Sequence, residues 1–238
     1  MGAGWLIGAV GIGGVLLIPA LSYIGGLDMR VAMATALFSF FFTGLAGTVQ
    51  FQRRGSIDWN STVPLCLTAL MCSAAGAWLA SRTDVSALNA LLGGIMMFAG
   101  MYTAWGARLT PNVPHPGNRH HYPVLIAIGV VSGLGSGLTG VGGPALSVPL
   151  MLLAGFSPLT AIGTGQVLQV AAAFSGSVTN FSYGTIELGT AVVVSALQMT
   201  GVWFGVHYAH GAAAATLKKL VAVLCVTVGA VLLLGTLR

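Results

Sequence analysis

Gly140-Val141-Gly142-Gly143, at mid-chain, repeats the motif Gly11-Ile12-Gly13-Gly14 that lies near the start of the sequence. We call the two copies the first glycine motif (11–14) and the second glycine motif (140–143); the second follows after a shift of 129 positions, from 11 to 140. Each copy lies in apolar sequence long enough to enter a bilayer. Irregular backbone at membrane depth is stable only where protein or a polar cavity covers it. The motifs therefore predict an internal repeat in which each half contains one broken membrane segment.

The composition is that of an integral membrane protein. Of the 238 residues, 56% are hydrophobic and 5% are charged, whereas roughly 25% of the residues of a soluble domain are charged. A chain with a mean hydropathy of +0.92 cannot cover a water-exposed surface. The net charge of +5 comes from basic residues in short loops, where they report topology. We therefore expect the lipid bilayer as a partner and no nucleic acid.

The apolar segments predict six spanning helices and two broken regions. The predicted spans are 31–51, 61–80, 86–107, 159–181, 188–209 and 216–237. Two further apolar regions, 2–25 and 122–155, carry the glycine motifs and prolines near their middles, which predicts helical hairpins. We therefore divide the chain into a first transmembrane repeat (1–107), a cytoplasmic linker (108–121) and a second transmembrane repeat (122–238).

The repeat keeps one register well beyond the glycine motifs. At the shift of 129 positions, 32–35 aligns with 161–164, 47–49 with 176–178, and 55–58 with 184–187. The halves differ in that ten residues precede the first motif, whereas eighteen residues of the second hairpin region precede the second. The first hairpin is therefore expected either to have a short leading arm or to continue upstream of Met1.

The distribution of basic residues favours inverted repeats. If each hairpin region crosses the membrane once, the repeats are parallel and the basic residues divide five to four between the two sides. If each region enters and leaves on one side, the repeats are inverted and the division is six to three. The six cytoplasmic residues are then Arg53, Arg54, Arg108, Arg119, Lys218 and Lys219. The second count fits the positive-inside rule better and puts both termini outside.

The expected fold class is therefore all-α. We predict a polytopic integral membrane protein built from two inverted repeats. Each repeat would consist of one glycine-motif helical hairpin and three transmembrane helices.

The glycine motifs are the first candidates for a binding site. A hairpin tip that ends one half-helix and begins another leaves backbone N–H groups at the positive end of a helix dipole, which suits an anion. We expect substrate contacts at Gly13, Gly14, Gly142 and Gly143. The alternative interpretation is close helix packing through small residues.

Neutral polar side chains inside the predicted spans are the second set of candidates. Such side chains need a partner in hydrocarbon, and neutral donors suit an oxyanion that must bind and then leave. The candidates for substrate binding are Thr35, Ser39, Gln50, Thr164, Gln166, Gln169 and Asn180, and Gln198 is a further candidate for the pathway. Arg53 and Arg54 form an expected entrance that concentrates anions. The alternatives are interhelical hydrogen bonding for the polar side chains and topological anchoring for the arginines.

The acidic residues, and the motifs that the sequence lacks, limit the mechanism. The acids Asp28, Asp58, Asp84 and Glu187 all lie near span ends, so a proton-coupled carrier would move its proton on the substrate. The sequence contains no Ser-His-Asp set, no paired carboxylates and no phosphate-loop or cofactor motif. We therefore expect no enzyme activity, no cofactor and no metal site.

At these residues the sequence resembles the TauE/SafE family of sulfite exporters and their relatives. The resemblance is carried by the two glycine motifs, Pro19, Ala32, Thr35, Arg54-Gly55, Ile57-Asp58, Pro149, Ala161, Thr164 and Gly184. Val15 departs from the pattern, because the family often has another glycine there.

The resemblance implies a secondary carrier, an exporter of small sulfur-containing anions such as sulfite and organosulfonates such as sulfoacetate. It would work in the bacterial cytoplasmic membrane by alternating access around a midplane anion site between the hairpin tips. A carrier of another small organic anion, such as a carboxylate, and a non-transporting membrane scaffold remain as alternatives. A homodimer is also left open.

Overall fold

The fold is all-helical, as the sequence predicts. The computed structural model describes residues 1–23, 25–80, 93–94, 96–98, 100–101, 122–140, 142–182 and 186–236. Within these ranges the chain forms helices and connecting turns and no strands. The predicted linker 108–121 lies outside the described residues, as does most of the predicted span 86–107.

The helix bounds follow the predicted segments closely. In chain order the described helices are α1 (Gly2–Val10), α2 (Gly14–Tyr23), α3 (Met29–Arg53), α4 (Trp59–Ala80), α5 (Tyr122–Thr139), α6 (Pro144–Leu153), α7 (Pro158–Ser182), α8 (Leu188–Gly211) and α9 (Ala214–Thr236). The ends of α3, α4, α7, α8 and α9 lie within two residues of the predicted ends. Both hairpin regions are broken at their glycine motifs, into α1 and α2 and into α5 and α6.

Several helices are suited to a bilayer. Within the described part of the chain, five helices (α3, α4, α5, α8 and α9) are long and apolar enough to cross a membrane. Helix α7 has 25 residues but is not among the five, because its glutamine, threonine and serine side chains lower its hydropathy. Helices α1, α2 and α6 have 9 or 10 residues, about half of the ~20 that a span requires. These short helices fit hairpins that turn inside the bilayer.

Glycines in α1 and α5 pack these helices closely against the other half of the chain. At each of these glycines, an added Cβ would meet backbone atoms of the neighbouring helix. The facing pairs are Gly4 with Gln198, Gly8 with Val202, Gly133 with Ala69, and Gly137 with Ser73. The shift of 129 positions that relates the glycine motifs also relates the first two pairs to the last two. The tertiary packing therefore keeps the register of the sequence repeat.

Helices α3 and α7 are equivalent under the repeat and pack against each other in opposite directions. The contacting pairs are Leu37 with Gly176, Phe40 with Gln169, Gly47 with Gln166, and Phe51 with Gly163. Residue numbers rise along α3 as they fall along α7, so the two helices are antiparallel. Equivalent helices therefore run in opposite directions within the fold, and the inversion of the repeats across a bilayer stays a prediction.

Candidate anion site

Both glycine motifs form the turns of helical hairpins. Gly11 ends α1 with φ +80°, and its N–H donates to the carbonyl of Ile7 at 2.9 Å. Gly140 is its equivalent in the second motif, with φ +66° and a bond of 2.9 Å to the carbonyl of Ser136. Glycine is favoured at such left-handed helix ends. The prediction named the later glycines of each motif as site residues, whereas the first glycine of each motif is the one that ends the helix.

The predicted glycines of the turns are buried and tightly packed. A Cβ on Gly13 would overlap the carbonyl oxygen of Ala3, and one on Gly143 would overlap the side chain of Leu168. Gly14 and Gly142 are buried as well. Close packing, the alternative interpretation, therefore describes Gly13 and Gly143, while ligand binding at the four glycines stays a prediction.

The two hairpins meet at their turns. A Cβ on Gly11 would lie 2.9 Å from Cγ2 of Val148 and 3.3 Å from Cβ of Pro144, at the start of α6. A Cβ on Gly165 in α7 would lie 3.1 Å and 3.3 Å from the same two atoms. The turn of the second hairpin contacts α3, because a Cβ on Gly142 would lie 3.4 Å from Cδ2 of Phe40. The two turns therefore converge on α3 and α7.

The first backbone amides of α6 are engaged in short-range bonds. The N–H of Ala145 donates to the Gly142 carbonyl at 3.3 Å, and the N–H of Leu146 donates to the Gly143 carbonyl at 3.2 Å. Bonds of this length are weak. An anion at the turn can therefore compete for these N–H groups at the positive end of the helix dipole.

The two predicted glutamines of α7 bind different elements. The Nε2 of Gln169 donates to the Phe40 carbonyl at 3.1 Å and to Oγ1 of Thr43 at 2.9 Å, both in α3. The Nε2 of Gln166 donates at 2.9 Å to the Ile7 carbonyl, which also closes the end of α1. The side chains of Gln166, Gln169 and Thr43 are buried. Helix α7 therefore holds both α3 and the first hairpin through side-chain amides.

The predicted hydroxyl residues connect helix ends across the repeats. Oγ1 of Thr35 accepts from the N–H of Glu187 at 3.1 Å, and Oγ of Ser39 donates to the Ala191 carbonyl at 3.3 Å. Thr164 is the repeat equivalent of Thr35, and its Oγ1 lies 2.9 Å from Oγ1 of Thr62 in α4. Interhelical hydrogen bonding, the alternative interpretation, describes these contacts.

The remaining predicted residues lie near the C-terminal ends of α3 and α7. Gln50 and Asn180 are half-buried near the C-terminal ends of α3 and α7. Arg53 and Arg54 are exposed at the end of α3, and Nη2 of Arg54 lies 3.2 Å from Nδ1 of His207 in α8.

Several buried polar atoms of the described residues have no hydrogen-bond partner, although such atoms are normally bonded. They are Oγ1 of Thr48, Oε1 of Gln166, both amide atoms of Gln198, and the hydroxyl oxygens of Ser132, Ser136, Ser147 and Ser177. Ser132, Ser136 and Ser147 of the second hairpin are candidate ligand-binding residues that the sequence analysis did not name. Their hydroxyl groups within an otherwise apolar region are the sequence signal that could have identified them. A ligand or water can satisfy these atoms.

An all-helical chain with several helices of membrane-spanning length and two glycine-motif hairpins defines a multi-pass membrane protein. The family model for the sulfite exporter TauE/SafE family matches residues 1–232. The chain therefore belongs to the TauE/SafE family, which confirms the resemblance seen in the sequence.

Curated relatives are described as membrane transporters. The chain is 26% identical to the probable membrane transporter protein YunE of Bacillus subtilis, over 85% of this chain and 82% of that protein. It is 25% identical to a probable membrane transporter protein of Xylella fastidiosa, over 85% of this chain and 78% of that protein. It is 24% identical to one of Methanocaldococcus jannaschii, over 80% and 79%. No solved structure matches significantly. The protein is thus a membrane transporter.

Proposed function

We propose that the protein is a secondary transporter that exports small sulfur-containing anions, such as sulfite and organosulfonates. The observation that carries this proposal is the convergence of both hairpin turns on α3 and α7, two helices that carry buried, neutral amide and hydroxyl groups. Neutral donors and helix dipoles attract an anion without holding it as firmly as a buried cation would. The family description, sulfite exporter, supports sulfur oxyanions as the substrate class.

Alternating access around the convergence of the hairpin turns is the proposed mechanism. The contacts that join the halves include hydrogen bonds between neutral groups, such as Gln169 to Thr43 and Thr62 to Thr164. Each is worth only about 1 kcal/mol net, so it can break and form again as the halves move. The antiparallel packing of α3 and α7 supports an inverted arrangement, in which the two halves open to opposite sides in turn.

We further propose that any coupled proton travels on the substrate. The acids among the described residues lie at helix ends: Asp28 precedes α3, Asp58 accepts from Ser61 at 2.6 Å, and Glu187 caps α8. The Thr190 hydrogen bonds to the Glu187 carboxylate lower the pKa of that group, which keeps it ionised at the helix end. A carboxylate whose capping hydrogen bonds lower its pKa is poorly suited to take up and release protons in transport.

The inverted topology predicts opposite accessibility at equivalent positions. Asn60 and Gly189 are exposed, and the shift of 129 positions relates them. In a variant whose three cysteines are replaced by alanine, Asn60→Cys should be labelled by a membrane-impermeant maleimide only after permeabilisation. Gly189→Cys should be labelled in intact cells. The contact of Arg54 with His207 supports a shared cytoplasmic end of α3 and α8. Labelling of both positions from the same side would contradict the inverted repeat.

A ligand panel tests the substrate class. We expect sulfite and sulfoacetate to raise the thermal midpoint of the purified protein by a few degrees, because a ligand that binds only the folded state stabilises it by mass action. Taurine and simple carboxylates complete the panel, and liposomes containing the protein should show saturable sulfite flux. If only carboxylates stabilise the protein, the substrate is a carboxylate and not a sulfur-containing anion. If no ligand shifts the thermal midpoint and no flux is seen, a non-transporting scaffold is favoured.

A further inference from the structure

Buried glutamines distinguish the two repeats. Three glutamines of α7 and α8, Gln166, Gln169 and Gln198, are at most 2% exposed. The positions equivalent to them in the first repeat hold Leu37, Phe40 and Ala69. These three side chains are apolar. The buried side-chain amides of α7 and α8 therefore have no counterpart at the equivalent positions of the first repeat.

Two of these glutamines, Gln166 and Gln198, contact the first hairpin. Gln166 donates to the Ile7 carbonyl at 2.9 Å, and the backbone of Gln198 packs against Gly4. Ile7 and Gly4 lie three residues apart on α1, which corresponds to about 4.5 Å along a helix axis. Gln166 through its side chain and Gln198 through its backbone therefore approach the same turn of α1 from two different helices.

The turn of the second hairpin lies against apolar side chains instead, and the unpartnered hydroxyls of this hairpin (Ser132, Ser136 and Ser147) belong to α5 and α6. Gly142 contacts the ring of Phe40, and Gly143 contacts Leu168. Phe40 and Leu168 are buried. A charged ligand at this turn would lose its hydration without gaining side-chain hydrogen bonds from these neighbours.

The amides beside the first hairpin have unused hydrogen-bonding groups. Oε1 of Gln166 has no partner while its Nε2 is held by Ile7, and both Oε1 and Nε2 of Gln198 have none. The two side chains are 0% and 2% exposed, so bulk water does not satisfy them. A ligand that donates hydrogen bonds can satisfy the two buried acceptor oxygens, and one that also accepts can satisfy the Gln198 amide.

We propose that the anion site lies beside the first hairpin, at Gln166 and Gln198, and selects anions that carry an O–H or N–H donor. This inference rests on the proposed transport of sulfur-containing anions and narrows their class. Hydrogen sulfite and hydroxysulfonates carry one O–H, which donates to one of the glutamine oxygens, and aminosulfonates carry several N–H donors, whereas a fully ionised anion without a donor leaves both oxygens unpaired. Hydrogen sulfite is also the form of sulfite that would carry a proton across the membrane.

Two sulfonates of equal charge test the proposal on the purified full-length protein by isothermal titration calorimetry. 2-Hydroxyethanesulfonate should bind about tenfold more tightly than ethanesulfonate, because only the former can donate to a buried acceptor. In at least one of the variants Gln166→Met and Gln198→Met, this preference should fall towards one. The control is Ser195→Ala, which removes a buried hydroxyl of α8 that is already bonded to the Ala191 carbonyl. This control should keep the preference.

The ratio of the two affinities separates ligand recognition from a structural role. Loss of the Gln166 bond to Ile7 can weaken the fold and both affinities, but a purely structural role would leave their ratio unchanged. Equal affinities in the unmodified protein would overturn the inference and leave water as the partner of these amides, and this result needs no variant. A preference that persists in both methionine variants would also overturn it. Absence of binding by every sulfonate and by sulfite would instead overturn the proposed function.

Discussion

Gly137→Val should abolish the accumulation of folded protein. A Cβ at this position in α5 would overlap the Ser73 carbonyl oxygen and lie 2.7 Å from the backbone nitrogen of Ala77, both in α4. Backbone atoms within a helix cannot move aside singly, so α4 and α5 would have to separate along their length. Overpacking costs roughly 1–3 kcal/mol and more where the backbone must shift, against a total stability of about 5–15 kcal/mol.

Size-exclusion chromatography of a fluorescent fusion measures this loss as the yield of monodisperse protein. Gly94→Val is the matched control, since a Cβ at Gly94 meets nothing within 4 Å. Gly8→Val should behave like Gly137→Val, because a Cβ there would meet the equivalent atoms, the Val202 carbonyl and the Val206 nitrogen. Monodisperse Gly137→Val protein at the control's yield would show that α4 and α5 do not pack this closely.

Gly143→Ala should strongly destabilise the second hairpin, and Leu168→Ala should restore part of the loss. The added Cβ would overlap the Leu168 side chain and lie 3.2 Å from its Cγ. Leu168 is fully buried, so its side chain has little room to rotate away. Alone, Leu168→Ala leaves a cavity and costs about 2–5 kcal/mol. In the double variant the new methyl group enters that cavity, so the combined cost should be smaller than the sum by at least ~1 kcal/mol.

A double-mutant cycle measures this coupling. It compares the thermal midpoints of the two single variants, the double variant and the unmodified protein. The control cycle combines Leu168→Ala with Gly94→Ala, which should be additive because Gly94 faces open space. Additivity in the Gly143 cycle as well would contradict the contact between the hairpin turn and α7. Recovery of saturable flux in the double variant would further tie the position of the turn to transport.

Helix positions were largely predictable, because their signals are local. An apolar run of about 20 residues must be helical in a bilayer, so the bounds of α3 and α8 follow from the sequence. The broken regions were equally visible, since a glycine motif within an apolar segment interrupts the helix. The hydrogen-bond partners of the polar side chains could not be predicted from the sequence. Thr43 and Thr62 complete the bonds of Gln169 and Thr164, but no sequence pattern pairs residues of different helices.

The sequence by itself determined that this is a helical membrane protein with two hairpins in one repeated register. Hydrophobic length, glycine and proline act over a few residues, so their consequences are fixed before the helices meet. Only the tertiary structure decided that α1 packs on α8, and that Gln166 donates to Ile7 across 159 positions of the chain. Such pairings depend on which helix faces come together. The same packing decides which hairpin lies against amides and which lies against Phe40 and Leu168.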